Sequence, residues 1–177
     1  TLTKIKEQES RVDALLVGGD VFSDVYTTQA KIESLMDQTL AYTDALTPNQ
    51  LWVTGNHDYT AGQRDGFNSA NYYNYIMKDR LGELPDIEAS YDTYQGRKYL
   101  VAYHYVVEGF DFIGLSTAHS QMAVYENGPY KYLPGALDWV EGKLAEIGTD
   151  NTVFLLAHFP MGDSNGISAA NKGADAA

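Results

Sequence analysis

The chain has 177 residues, 44% of them hydrophobic, which suits one domain with a sizeable core. Its formal charge of −12, from 24 acidic against 12 basic residues, repels nucleic-acid backbones and anionic membranes and so argues against duplex binding, although a cation-filled pocket could still accept a phosphoester. Cysteine is absent, which removes disulfides and thiolate ligation, and no apolar run reaches the roughly 18 residues that a membrane-crossing helix needs.

Leu2 to Arg11 reads as the tail of a helix. Ala14-Leu15-Leu16-Val17 is an apolar strand that runs into Gly18-Gly19-Asp20. Thr27 to Leu46 then puts Ile32, Leu35, Met36 and Leu40 on one helical stripe, stopped by Pro48. Leu51-Trp52-Val53-Thr54 is too short for a helix and reads as a buried strand leading into Gly55-Asn56-His57-Asp58. Asn68 to Leu81 is predicted helical and ends at Gly82; Tyr72, Tyr73 and Tyr75 suit its core and rim better than a base-stacking platform. From Ser90 the period falls to two. Tyr99, Val101, Tyr103, Tyr105 and Val107 alternate with Leu100, Ala102, His104 and Val106, then turn at Glu108-Gly109 into Phe110 to Thr117, an antiparallel hairpin with both faces covered and His104 in a structural role. Leu133, Leu137, Val140, Leu144 and Ile147 mark an amphipathic helix with Pro134 near its start. A last buried strand, Thr152 to His158, delivers His158, and one domain is expected over 1–163. Residues 164–177, small and polar, read as a flexible tail or a truncated loop.

Three apolar strands therefore end in Asp20, in Asn56-His57-Asp58 and in His158, at the strand ends where open α/β sheets bind ligands. Taken singly, Asp20 could be a helix N-cap or Asx-turn residue, Gly55-Asn56 a tight turn and His158 a hydrogen-bonded structural histidine. Together, in this order and strand context, they resemble the calcineurin-like metallophosphoesterases, whose motifs include Gly-Asp, then Gly-Asn-His-(Asp/Glu), then a lone histidine. The resemblance spans most of the chain. It implies a four-layer α/β/β/α fold of two mixed sheets packed face to face with helices outside.

It also implies a chemistry. Asp20 would bridge two divalent ions, manganese, iron or zinc, with Asn56 and His158 completing the second ion's protein shell. These are ligand types that hard or borderline cations prefer. His57 would face the scissile phosphate, stabilising the phosphoryl charge or protonating the leaving oxygen, while a metal-bound hydroxide attacks. Many relatives orient that histidine with an acid three residues after the Gly-Asp aspartate. Here that position is Ser23 and the acid comes one later, so Asp24 takes the role, Ser23 accepts a hydrogen bond instead, or the pairing is absent. His119 either lines the substrate cleft or sits in a surface loop.

Two family motifs are not in this sequence: an Asp-x-His before Asp20 and a Gly-His-x-His after His158. The chain thus reads as the major part of a catalytic domain acting on a phosphomonoester or phosphodiester. The rival reading is a sandwich domain with a degenerate metal site used for binding or scaffolding. A Rossmann domain is disfavoured, because no Gly-x-Gly-x-x-Gly follows a strand. Few lysines and many tyrosines lean towards an exported bacterial protein, secreted or at the cell surface, over a cytoplasmic one.

Overall fold

The computed structural model of the protein describes residues 11–21, 29–55, 58, 80–82, 84–94, 97–116 and 134–159. The expected helix at 2–11 lies outside these except for Arg11, as do the tail at 164–177 and the helix Asn68–Leu81 except for its last two residues. The described elements are β1 (Leu15–Val17), α1 (Gln29–Thr43), β2 (Gln50–Trp52), β3 (Glu88–Tyr94), β4 (Arg97–Val107), β5 (Phe110–Leu115), α2 (Pro134–Ile147) and β6 (Val153–Ala157).

These strands form two sheets. In the first, β1 and β2 pair in parallel from Leu15 opposite Gln50 to Val17 opposite Trp52. The second runs β3-β4-β5-β6; its first three strands are antiparallel, and β6 returns parallel to β5. A parallel return needs a crossover, and α2 lies in it. Among the described residues the second sheet is mixed, and the two sheets with their two helices fit the incomplete α/β sandwich expected from the sequence.

Two cores hold the layers. Met36 and Leu40 of α1 pack with Leu51, Trp52 and Val53 and with Leu100, Tyr103 and Val107 of β4. On the opposite side, Val101, Ala102, Ile113 and Leu115 meet Ala136 and Val140 of α2. Each fully buried aliphatic side chain contributes about 1.5–3 kcal/mol, so β4, covered on both faces, ties the two cores together.

The strict alternation expected along β4 is broken once. Ser90 faces Ala102 while Tyr91 faces Leu100, so Val101 is an extra residue in the ladder. A bulge of this kind puts two neighbours on one side. Val101 therefore joins Ala102 under α2, and Leu100 joins Tyr103 in the other core. The Glu108-Gly109 turn is as expected: both residues have positive φ, 52° and 81°, and Val107 pairs directly with Phe110.

Three further expectations are corrected. The first helix ends at Thr43, short of the expected Leu46: its last turn tightens from the Asp44 to Leu40 bond into a Leu46 to Thr43 bond ahead of Pro48. In α2, Leu144 is exposed whereas Lys143 is buried, because the lysine is drawn in by Glu88 across the helix–sheet interface. Finally, β6 is not a buried strand. It ends the described sheet, paired only with β5, and Phe154 and Leu155 are exposed, as is Leu16 on β1.

Candidate metal centre at the strand ends

The parallel pairing of β1 and β2 brings their carboxyl ends side by side, and the Val53 amide continues the ladder by donating to the Val17 carbonyl at 3.0 Å. Beyond it the two loops touch. Gly19 and Asp20 both adopt positive φ, 87° and 54°. A Cβ on Gly19 would overlap the Gly55 backbone, and one on Gly55 would overlap the Asp20 carboxylate and amide. Both glycines are thus required by close approach of chain to chain.

For a non-glycine residue such as Asp20, the left-handed conformation costs about 1–2 kcal/mol. The cost is offset locally. Asp58, only 1% exposed, accepts hydrogen bonds through Oδ2 from the Asp20 amide at 2.9 Å and the Gly55 amide at 2.7 Å. Bonds to a carboxylate are charge-assisted and roughly twice as strong as neutral ones. Sequence reasoning gave Asp58 no role of its own; the available signal was its place as the fourth residue of Gly-Asn-His-Asp.

The second sheet reaches the same place. The Thr54 amide donates to Ser116 Oγ, just beyond β5, at 3.4 Å. His158, just beyond β6, puts Nδ1 2.8 Å from the Gly18 carbonyl and Nε2 3.2 Å from Asp20 Oδ2. The Phe159 ring stands edge-on to the imidazole, 4.6 Å between centroids. Both side chains remain open to solvent, Asp20 at 29% and His158 at 16%.

A carbonyl can only accept, so Nδ1 carries a hydrogen and Nε2 is left facing a carboxylate. In the neutral ring, that arrangement sets a nitrogen lone pair against carboxylate oxygen. A second proton or a cation between them resolves it. Imidazole nitrogen and carboxylate oxygen suit manganese, iron or zinc, and cation ligands at about 2.0–2.2 Å from one ion stand roughly 3 Å apart when adjacent. A histidine ligand whose other nitrogen donates to a backbone carbonyl is the usual metal-site arrangement.

The residues present fit a metal in this respect, but two side chains do not complete a shell. Among the described residues, no three histidine, cysteine, aspartate or glutamate side chains gather to hold an ion. Of the site residues expected from sequence, Asp20 and His158 are brought together; Asn56, His57, Asp24 and His119 lie outside the described residues.

The family model of the calcineurin-like phosphoesterases matches residues 1–176, and the chain belongs to that family. No curated protein and no solved structure matches it.

Proposed function

We propose that this calcineurin-like phosphoesterase hydrolyses a phosphomonoester or phosphodiester at the ends of β1, β2 and β6. Membership of the family supports metal-dependent phosphoester hydrolysis in general. The observation that carries the reading to named residues is the Asp20–His158 pair, 3.2 Å apart, with the far nitrogen of the histidine tied to Gly18.

In this reading Asp20, Asn56 and His158 would hold two divalent ions, manganese, iron or zinc, with Asp20 as the carboxylate they would share. When bound, such ions polarise phosphoryl oxygens and make a water available as nucleophile near neutral pH. The Gly18 carbonyl keeps the hydrogen of His158 on Nδ1, so Nε2 stays free to coordinate. His57 faces the phosphoryl group and donates a hydrogen bond or proton to the leaving oxygen, with Asp24 orienting it, and His119 lines the substrate cleft. The lean of the composition towards an exported protein is part of the same reading; fractionation of the source cells would test it.

Two variants separate the roles. His57→Ala should keep the metals and lose turnover by a factor on the order of 10² to 10⁴, the usual worth of a positioned acid or electrostatic stabiliser. Asp20→Ala should empty at least one metal position. Metal content is to be measured beside hydrolysis of p-nitrophenyl phosphate and bis(p-nitrophenyl) phosphate. Metal lost with His57 and kept without Asp20 would reverse the assignment. Metal bound with no turnover of either ester by the unaltered protein would favour the non-catalytic binding domain.

A further inference from the structure

We infer that Asp58 is a positioning residue for the metal centre, holding the Asp20 carboxylate in register with His158. The inference rests on the reading of Asp20 as a metal ligand and adds a residue to it. One carboxylate oxygen accepts from two amides in two different loops, 2.9 Å from Asp20 N and 2.7 Å from Gly55 N. Asp58 is thereby the clasp between the loop after β1 and the loop after β2.

The geometry explains why a clasp is needed there. At φ 54°, Asp20 directs its amide to Asp58 and brings its carboxylate to His158. An ordinary negative φ would be cheaper for the residue alone and would re-aim both groups. Gly55 adds the space, since any side chain on it would occupy the position of the Asp20 carboxylate. Burying the Asp58 carboxylate carries a large desolvation penalty, and the two amide donors offset part of it. A buried acid kept on such terms suits a group that fixes a functional side chain's direction.

A merely structural Asp58 would alter melting temperature and leave the folded protein's metal affinity unchanged. A positioning Asp58 changes affinity in protein that is still folded. The test uses Asp58→Ala and Asp58→Asn, with Mn²⁺ binding followed by titration calorimetry below each variant's melting temperature. Amide hydrogen exchange is measured on the metal-free proteins. Asp58→Ala should weaken Mn²⁺ binding about 10- to 100-fold, the common cost of losing a partner that orients a metal ligand. The Asp20 and Gly55 amides should exchange at least about tenfold faster, as loss of a charge-assisted bond implies, with His104 and Ile113 unaffected. Asp58→Asn, whose amide oxygen can accept the same two bonds, should recover most of both losses.

Folded Asp58→Ala with undiminished Mn²⁺ affinity, or with unchanged exchange at Asp20 and Gly55, overturns the inference. If the alanine variant does not fold, Asp58→Asn carries the test, with a several-fold weaker affinity expected and no change in affinity or exchange overturning it. Equal Mn²⁺ binding by the unaltered protein and Asp20→Ala would instead sink the metal-ligand reading. The exchange measurement then still decides whether Asp58 clasps the two loops.

Discussion

Among the described residues two histidines sit beside carboxylates, and they are used in opposite ways. His104, on β4 beneath α2, has both ring nitrogens occupied: Nδ1 lies 3.0 Å from Glu88 and Nε2 2.7 Å from Asp111. Glu88 is held in turn by Lys143, which also reaches Glu146, both at 2.7 Å. This network closes on itself, with His104 only 8% exposed. His158 has one nitrogen tied to backbone and the other turned towards an aspartate that faces solvent. The first arrangement spends its hydrogen bonds on joining helix to sheet. The second holds one in reserve, on backbone bent into an unusual conformation, which is where a protein concentrates function.

The most damaging way to probe that contrast is Gly55→Ala. The new methyl would meet the Asp20 carboxylate and backbone amide, and backbone cannot swing aside as a flexible side chain can. Overpacking of this kind costs about 1–3 kcal/mol. Thermal unfolding should register that loss, and Mn²⁺ affinity should fall with it, because the displaced group is the proposed ligand. An unchanged melting temperature together with unchanged Mn²⁺ binding would mean that the two loops are not in contact as described.

The contrast also explains what could be read from the sequence. Strand placement was legible, because Leu51, Trp52 and Val53 are a short apolar run bounded by polar residues and are fully buried. The order of Asp20, the Gly-Asn-His-Asp run and His158 pointed to a candidate site, and of these Asp20 and His158 lie side by side. Asp58's bonds could not be read, since they depend on two positive-φ residues and a loop contact that arise only when β1 and β2 pair. The bulge at Val101 was equally hidden: period two alone does not reveal an extra residue, and Val, Ala and Leu all suit either face. Lys143 defeated the helix-stripe reading because its partner, Glu88, is distant in sequence and adjacent only in the fold.

A smaller effect is expected at the closed network, and it should be confined to stability. Lys143→Met keeps the apolar stem and removes the ammonium that lies 5.8 Å from the Trp139 ring centroid. Because Glu88 and Glu146 are 52% and 69% exposed, the pair is worth about 0.5–1 kcal/mol after solvent screening. Bonds from Lys143 and then His104 hold the Glu88 pKa below its ordinary 4.5, so that carboxylate's contribution is present above pH 4.5 and is lost as pH falls through the lowered value. Bonds to Glu146 and then Glu88 raise Lys143 above its ordinary 10.5, so its contribution is present below pH 10.5 and is lost as pH climbs through the raised value. The stability gap between native protein and variant should therefore be flat near neutrality and narrow at both extremes. Denaturant titrations at pH 3, 7 and 11 check this, and a gap that widens in acid would contradict the pairing. Mn²⁺ affinity should not move.

A change of no greater size is expected in the opposite direction. Tyr103 is 1% exposed in the core that joins the two sheets, and its hydroxyl is the buried side-chain polar atom among the described residues without a hydrogen-bond partner. Burial alone pushes its phenol pKa far upward, so the group stays neutral and unpaired at any working pH. Its ring lies over Gly114, its cross-strand partner, where a Cβ would overlap it. The glycine therefore accommodates the ring without supplying a bond to the hydroxyl. Leaving a buried hydroxyl unsatisfied costs about 1–3 kcal/mol, partly offset by the contacts that its oxygen makes. Tyr103→Phe should thus stabilise the protein by roughly 0.5–1 kcal/mol, read as a higher denaturant midpoint at constant slope. A loss of stability instead would reveal a partner for that hydroxyl. A change in Mn²⁺ affinity would tie this core to the strand-end site and dissolve the contrast between the region proposed to bind metal and the region that only holds.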